Sequence, residues 1–349
     1  MNLEVNKNTL KMAGLIVIGL FILLGILTTV LAIFEDDDKA TSELVDSLNK
    51  KDGGDAPYKF DANREDREEG VNVNDAKAED EEGDPYEELD ELIGLESVKE
   101  EVKALANYVK VQKQREAQGL KVPKLSYHLV FTGSPGTGKT TVARIVARIY
   151  KDLGILKRGH LVETDRSGLI GQYVGQTAPR VNAMCDSALN GVLFIDEAYA
   201  LTQAGGQDYG QEAVATLLKR MEDNRDKLVV IVAGYTEEMK QFIDTNPGLQ
   251  SRFTRYINFP DYSAEELYRI FRMYMKKNQY TMTKEAATYL YQRLDNAVKN
   301  KDRNFGNARF ARNVFEKAIQ CQANRLSATS NATPEELTEI TLADIKQAI

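Results

Sequence analysis

Eight consecutive residues, Gly133-Ser134-Pro135-Gly136-Thr137-Gly138-Lys139-Thr140, follow the spacing G-x-x-x-x-G-K-[ST]. Glycine at 133, 136 and 138 lets the backbone curl so that its N–H groups face an anion, at a helix N-terminus that already favours negative charge. In such a loop Lys139 reaches the β and γ phosphates and the Thr140 hydroxyl ligates magnesium. Ser134, Pro135 and Thr137 complete the loop, and Thr141 follows it into the helix as a further candidate contact. A second element, "GVLFIDEAYAL" (Gly191–Leu201), reads as a buried strand ending in two acids. A carboxylate at the end of a strand beside a phosphate loop can hold magnesium, which assigns Asp196 as the second metal ligand. Glu197 then lies where it can orient and polarise an attacking water as general base. Taken alone, the two acids could simply cap the next helix; beside the phosphate loop they point to hydrolysis of a nucleoside triphosphate.

These residues need elements to hold them. The apolar run His128–Phe131 has the length of a buried strand, and helical periodicity starts at Thr141. In "GLIGQYVGQTAPRV" (Gly168–Val181), Tyr173 and Val174 sit side by side among glycines, off any helical or strand spacing, as on a loop held out to solvent. After Tyr262 the pattern is helical, and Ser263 with Glu266 fits a capping box. The expected class is α/β, a parallel five-stranded sheet flanked by helices followed by an α-helical lid. The α/β part covers 84–260 and the lid 261–349.

The region before this core has a different composition. After an N-terminal tail (1–11), Met12 to Phe34 carries no charge and is long enough, at about 1.5 Å per residue, to cross a hydrocarbon core of about 30 Å. It is expected to be an uncleaved transmembrane helix rather than a signal peptide, whose apolar region would be shorter. Residues 35–83 are rich in Asp, Glu, Asn, Lys and Gly and read as a solvated, disordered acidic linker, in which "SELVDSL" has the pattern of a short helix. Lys7 and Lys11 put the N-terminus on the cytoplasmic side by the positive-inside rule, whereas ATP chemistry puts everything after Phe34 there. The two expectations conflict, and the single-pass arrangement with a cytoplasmic catalytic domain follows the chemistry. The net charge of −8 argues against nucleic acid as the main partner. Two distant cysteines, Cys185 and Cys321, offer no disulfide framework or zinc site, and His128 and His160 read as structural.

Together these motifs resemble the AAA+ ATPases, more closely the group that holds stage V sporulation protein K and the red-type rubisco activases. The resemblance runs from about Leu89 to the C-terminus. It implies ATP with Mg²⁺, and a homo-oligomeric ring, a hexamer, in which the active site is shared between subunits. In "ELIGLESVKEEV" it implies that Ile93 and Gly94 lie near the adenine. In "NPGLQSRFTRYINFPDYS" it assigns Arg252 as an arginine finger for the neighbouring subunit, with Arg255 as second candidate. In "NFGNARFARNVFEKAI" it assigns Arg309 as sensor 2 in cis, with Arg312 one turn away. The polar sensor 1 of many relatives, often Asn, is missing: "LVVIVAGYTEEM" offers Thr236 as the nearest hydroxyl.

The resemblance also places Tyr173, Val174 and Gly175 on a pore loop that grips extended polypeptide, since an aromatic stacks on any chain and glycine lets the loop swing. The expected function is therefore a membrane-anchored ATPase that remodels or threads protein substrates, with lipid contact through residues 12–34 and no nucleic-acid partner. The competing class is an ATP-controlled membrane scaffold that does not thread. A peptidase activity is not expected, as the chain has no HExxH and stops after the lid.

Overall fold

The computed structural model describes residues 39–50, 83–123, 126–203, 209–327, 329 and 331–349. The apolar stretch Met12–Phe34 lies outside the described residues, and among those that are described no helix is long and apolar enough to cross a membrane.

The first described element, α1 (39–50), falls inside the expected linker. It is followed by α2 (Pro85–Glu91), α3 (Glu96–Ala117), β1 (Leu129–Gly133), α4 (Lys139–Asp152), β2 (Leu161–Thr164), α5 (Arg166–Leu169), α6 (Thr177–Ser187) and β3 (Gly191–Ile195). Next come α7 (Ala200–Gln203), α8 (Tyr209–Asp223), β4 (Leu228–Gly234), α9 (Thr236–Asp244), α10 (Pro247–Arg252) and β5 (Arg255–Phe259). The rest is α11 (Ala264–Lys277), β6 (Thr281–Met282), α12 (Lys284–Lys299), α13 (Ala308–Leu326), α14 (Pro334–Thr338), β7 (Glu339–Ile340) and α15 (Leu342–Ala348).

The chain forms two compact units. One contains the α/β elements as far as Phe271 together with 298–313. Its five strands are all parallel, in the order β2-β3-β4-β1-β5. Every residue of β1, β3 and β4 is buried. This is why they read as unbroken apolar runs: a parallel sheet covered on both faces has no side that tolerates alternation. Register aligns the carboxyl ends, with Thr164 opposite Ile195, Thr132 opposite Gly234 and Gly133 opposite Phe259. The next residues along, Asp165, Asp196, Tyr235, Ser134 and Asp261 a step further, form the rim on which an open parallel sheet binds its ligand. β1 lies between β4 and β5, where the strand order reverses. His128, just before β1, is buried, and its Nδ1 accepts from the Val230 N–H at 2.9 Å, so it is a structural acceptor.

The other unit contains α1, 272–297 and 314–349. Two-residue strands β6 and β7 pair in parallel. Tyr274 stacks on Phe315 with centroids 5.9 Å apart. Arg325 grips the buried Asp344 with Nε and Nη2, and the Thr341 N–H and hydroxyl donate to the same carboxylate. Burial opposes the Asp344 charge, but these donors outweigh it and hold the carboxyl below its ordinary pKa.

Within 39–50 the short helix expected at "SELVDSL" is present, and only the disorder of the linker is corrected there. Val45 and Leu48, three residues apart on one helical face, are fully buried. The Leu48 carbonyl, near the C-terminal end of α1, accepts from Arg272, and Lys284 pairs with Asp46 at 2.7 Å. Cationic side chains at a helix C-terminus satisfy carbonyls that have no partner within the helix. Burying the two apolar side chains contributes about 1.5–3 kcal/mol each. Residues 51–82 of the expected linker lie outside the described residues.

The lid was expected from 261; by compactness the unit that holds the α/β elements also takes in 261–271 and 298–313. The capping box at the start of α11 is present: the Ser263 N–H donates to the Glu266 carboxylate at 2.7 Å, and the Glu266 N–H donates to the Ser263 hydroxyl at 3.2 Å.

Candidate nucleotide site

The loop after β1 turns through left-handed backbone at Gly136 (φ 70°) and Gly138 (φ 90°), which only glycine adopts without strain. Gly136 has a second reason: a Cβ there would sit 2.2 Å from the Gly306 carbonyl oxygen. The loop is also tied internally, as the Thr137 hydroxyl donates to the Ser134 carbonyl at 2.8 Å. Lys139 Nζ donates to the carbonyls of Gly133 (3.0 Å) and Ser134 (2.8 Å), so the ammonium lies over the loop. Burial lowers the Lys139 pKa and Arg309 adds to this, while Asp196, Glu197 and Asp261 push the other way. Those five side chains therefore share one electrostatic neighbourhood, within reach of a multiply charged anion. Thr140 and the exposed Thr141 occupy the first turn of α4.

Asp196 continues β3, its N–H bonded to the Thr164 carbonyl at 2.9 Å. Glu197 is exposed and has left-handed backbone (φ 47°), with its N–H donating to the Asp196 carboxylate at 3.0 Å. A non-glycine residue held there costs on the order of 1 kcal/mol, and such strain collects at functional sites.

The remaining candidates distribute differently. Arg309 lies beside the loop: its Cγ is 3.2 Å from where a Cβ on Gly136 would stand. Gly94 is buried and left-handed (φ 64°), and Ile93 beside it is half-buried. The side chain that comes closest to Gly138 from this segment is Leu95, 3.5 Å from its Cβ position. Thr236 opens α9 and is exposed. At this end of β4 the ring of Tyr199 fills the space beside Gly234 and meets Tyr235, centroids 6.2 Å apart. Burial, and then the charge of Glu197, push the Tyr199 phenol up to about 12. Arg252 ends α10 and is engaged with Glu222 (3.1 Å) and the Gly248 carbonyl (3.3 Å), while Arg255 lies over the Tyr108 ring at 5.1 Å.

The Tyr173 loop stands clear of the sheet. Tyr173 is 68% and Val174 84% exposed, and a Cβ on Gly175 would meet nothing within 4 Å. At its base the buried Thr177 hydroxyl accepts from the Gly171 N–H and Arg180 donates to the carbonyls of Ser167 and Ile170, and across the turn the Tyr173 N–H and carbonyl pair with Gln176, which leaves the Tyr173 and Val174 side chains outside. A cavity of about 430 Å³, lined by Asp165, Gln172 and Glu197 among others, lies at that base.

Two residues absent from the sequence reading belong to this site. Asn307 is fully buried and binds the phosphate loop through Pro135. Asp261 receives Lys301 at 2.5 Å and Asn307 at 2.9 Å. Burial opposes its charge, but the hydrogen bonds from Lys301, Ser134 and Asn307 prevail and keep its carboxyl below the usual range. The available signal was slight: an asparagine tolerates left-handed backbone, and Asn307 follows a glycine just ahead of a helix.

Comparison with known proteins agrees with this geometry. The family described as ATPase family associated with various cellular activities (AAA) matches residues 129–261, and the AAA lid domain matches 263–349. The chain is 42% identical over 240 residues to stage V sporulation protein K of Bacillus subtilis, covering 68% of this chain and 74% of that one. It is 44% identical over 257 residues to the chloroplastic ribulose bisphosphate carboxylase/oxygenase activase of Cyanidioschyzon merolae, covering 73% and 86%. The crystal structure of the FIGL-1 AAA domain in complex with ADP superposes with a TM-score of 0.53 at 18% identity, over 74% of this chain and 82% of that one, a likeness of fold. With this phosphate loop, acid pair and sheet order, the chain belongs to the AAA+ family and is an ATP hydrolase with a C-terminal AAA lid.

Proposed function

We propose that the chain assembles into a homo-oligomeric ring, a hexamer, that hydrolyses ATP to draw protein segments past Tyr173 and Val174 in a central pore, fastened to a membrane through residues 12–34 with the ATPase on the cytoplasmic side. The observation that carries the threading reading is the loop itself. An aromatic and an aliphatic side chain, 68% and 84% exposed, project from a loop whose hydrogen bonds hold its backbone and leave both side chains outside. Exposed apolar side chains side by side, contributing nothing to their own core, fit contact with another chain. The apolar length of 12–34 supports the anchor.

ATP would enter along the rim of the sheet. Lys139 would exchange its two loop carbonyls for β- and γ-phosphate oxygens, with the glycine-turned backbone supplying N–H donors. Thr140 and Asp196 are the oxygen donors for Mg²⁺. Among the described residues no group of three or more His, Cys, Asp or Glu could hold a metal alone, which fits an ion that takes its other ligands from phosphate and water. When bound, Mg²⁺ would supply positive charge that offsets the charge of the phosphates. Glu197 orients the water and takes its proton, and Arg309 reaches the nucleotide from its own subunit. Arg252 would leave Glu222 to act as the finger at a neighbour's γ-phosphate. Thr236 is the proposed sensor 1, and Ile93 and Gly94 border the adenine.

The test uses the full chain with Glu197→Gln, which holds ATP without turning it over, and unfolded casein as probe. Casein capture in ATP is expected to fall at least tenfold when Tyr173→Ala is added, while Tyr173→Ala alone keeps ATPase activity within about threefold of the parent. Undiminished capture would remove threading and leave an ATP-governed scaffold as the better account.

A further inference from the structure

We propose that Asn307 is a positioning residue of the nucleotide site, an amide clamp that fixes the outer wall of the phosphate loop and thereby its affinity for nucleotide. The inference rests on the assignment of Gly133–Thr140 as the ATP site.

Asn307 is fully buried, in left-handed backbone (φ 49°). Its Nδ2 donates to Asp261 Oδ1 (2.9 Å), the Phe305 carbonyl (3.1 Å) and the Pro135 carbonyl (3.3 Å), and its Oδ1 accepts from the Tyr262 N–H (3.0 Å). One side chain thus joins the loop, the segment after β5 and the turn before α13. Few residue types can do this. The position needs a donor and an acceptor on one short planar group, and a backbone that accepts positive φ; asparagine has all three. Aspartate would present no donor to Pro135 and would place a second negative charge against Asp261.

The neighbours continue the clamp. The Ala308 N–H donates to the Gly136 carbonyl at 3.1 Å, and Gly306 lies so close to Gly136 that no Cβ fits between them. The Tyr262 hydroxyl reaches the Thr137 carbonyl at 3.4 Å. The three hydrogen bonds from Asn307, Ala308 and Tyr262 to the loop all use its carbonyls, those of Pro135, Gly136 and Thr137. Phosphate requires the opposite groups, the loop N–H donors. Clamping therefore does not compete with the anion, and it holds the donors in place before the anion arrives. Ordering that is complete beforehand is not charged against binding. Loss of the clamp should appear in nucleotide affinity rather than in the chemical step, because the hydrogen bonds of Asn307 go to Asp261, Phe305, Pro135 and Tyr262 and not to Lys139 or Glu197.

The experiment compares the full chain with Asn307→Gly, which keeps the left-handed backbone and removes only the amide, and with Asn307→Asp. The readouts are KM for ATP, kcat, Kd for ADP and thermal midpoint. Asn307→Gly is expected to raise KM and Kd about tenfold or more with kcat at saturation within about threefold; Asn307→Asp should be worse. Unchanged KM and Kd would overturn the proposal, and so would KM and kcat failing together with a collapsed thermal midpoint, which marks a purely structural residue. If Asn307→Gly does not fold, Asp261→Asn carries the test: the weakened partner should raise KM about threefold, and an unchanged KM overturns the clamp. A wild-type chain without ATPase activity would instead strike the ATP-site assignment itself.

Discussion

Gly136 and Gly175 share a residue type and nearly a backbone angle, φ 70° and 80°, and serve opposite ends. Gly136 is glycine because there is no room: the Gly306 carbonyl would lie 2.2 Å from its Cβ, and Arg309 stands on the same side. Gly175 has all the room it could use, with nothing within 4 Å. The first loop is closed by its own chain through Asn307, Ala308 and Tyr262; the second is held at its base and open at its tip. On the threading proposal, the difference separates two demands on this ATPase. A site for a defined anion gains from being built in advance, whereas a surface for varied polypeptide gains from being left unsatisfied.

The comparison breaks first at the glycines. Gly136→Ala is expected to remove ATP binding and hydrolysis below detection, because backbone and not a flexible side chain blocks the new methyl. Gly175→Ala should leave ADP affinity within about twofold, its only penalty being the positive φ. Titration of a fluorescent ADP analogue against both variants decides it; equal losses would mean that the two loops are not independent.

Arg252 tests which side of the division the finger belongs to. In this chain it is half-closed, paired with Glu222, and its Nε is buried without a partner. As a finger it should make specific activity rise with protein concentration, and Arg252→Ala should lower the plateau on the order of a hundredfold and flatten that dependence. Constant specific activity, unaffected by the variant, would assign Arg252 to the closed, structural side.

The smallest effect is on stability, and it belongs to the closed side alone. Burial, and then the charge of Arg252, depress the His128 pKa from 6.5 to about 4. The unfolded chain then binds the proton first. Stability from His128 is complete above about pH 6.5 and is lost as pH falls from there towards 4, by up to about 3 kcal/mol. Unfolding midpoints at pH 7.5 and 5 should show that fall in the wild type and less of it in His128→Asn, which has no titrating ring. An equal slope in the variant would trace the fall to other groups.

The phosphate loop was legible because its glycines hold positive φ, a demand written within the loop itself, and the order of residues around Lys139 is itself the chemistry. The core strands were legible for a similar reason, since burial on both faces writes an unbroken apolar run such as β4 (Leu228–Gly234). Tyr173 and Val174 could be placed outside because their spacing suits no element. What escaped depends on partners far along the chain. Asn307 meets Pro135 across 172 residues, and no window of sequence contains both. The same holds for Arg252 and Glu222, and for α1, where two buried side chains in an acidic stretch are too few to mark a helix that docks. At the end of β4, beside the Thr236 that opens α9, the rings of Tyr199 and Tyr235 also gather, a pairing the sequence did not suggest. Proximity along a strand end says little about which side chain turns inward.

The left-handed backbone of Glu197 bears on how such a protein can be improved. Glycine, and to a lesser degree asparagine, would rest at that angle more comfortably than glutamate. A library sorted only for heat resistance would therefore be drawn towards those residues at 197, enriching variants that outlast the parent in the tube and that, with Glu197 as the proposed base, turn over no ATP. Breeding a hardier enzyme from this scaffold calls for selection on turnover from the first round, because here durability and catalysis compete for one codon.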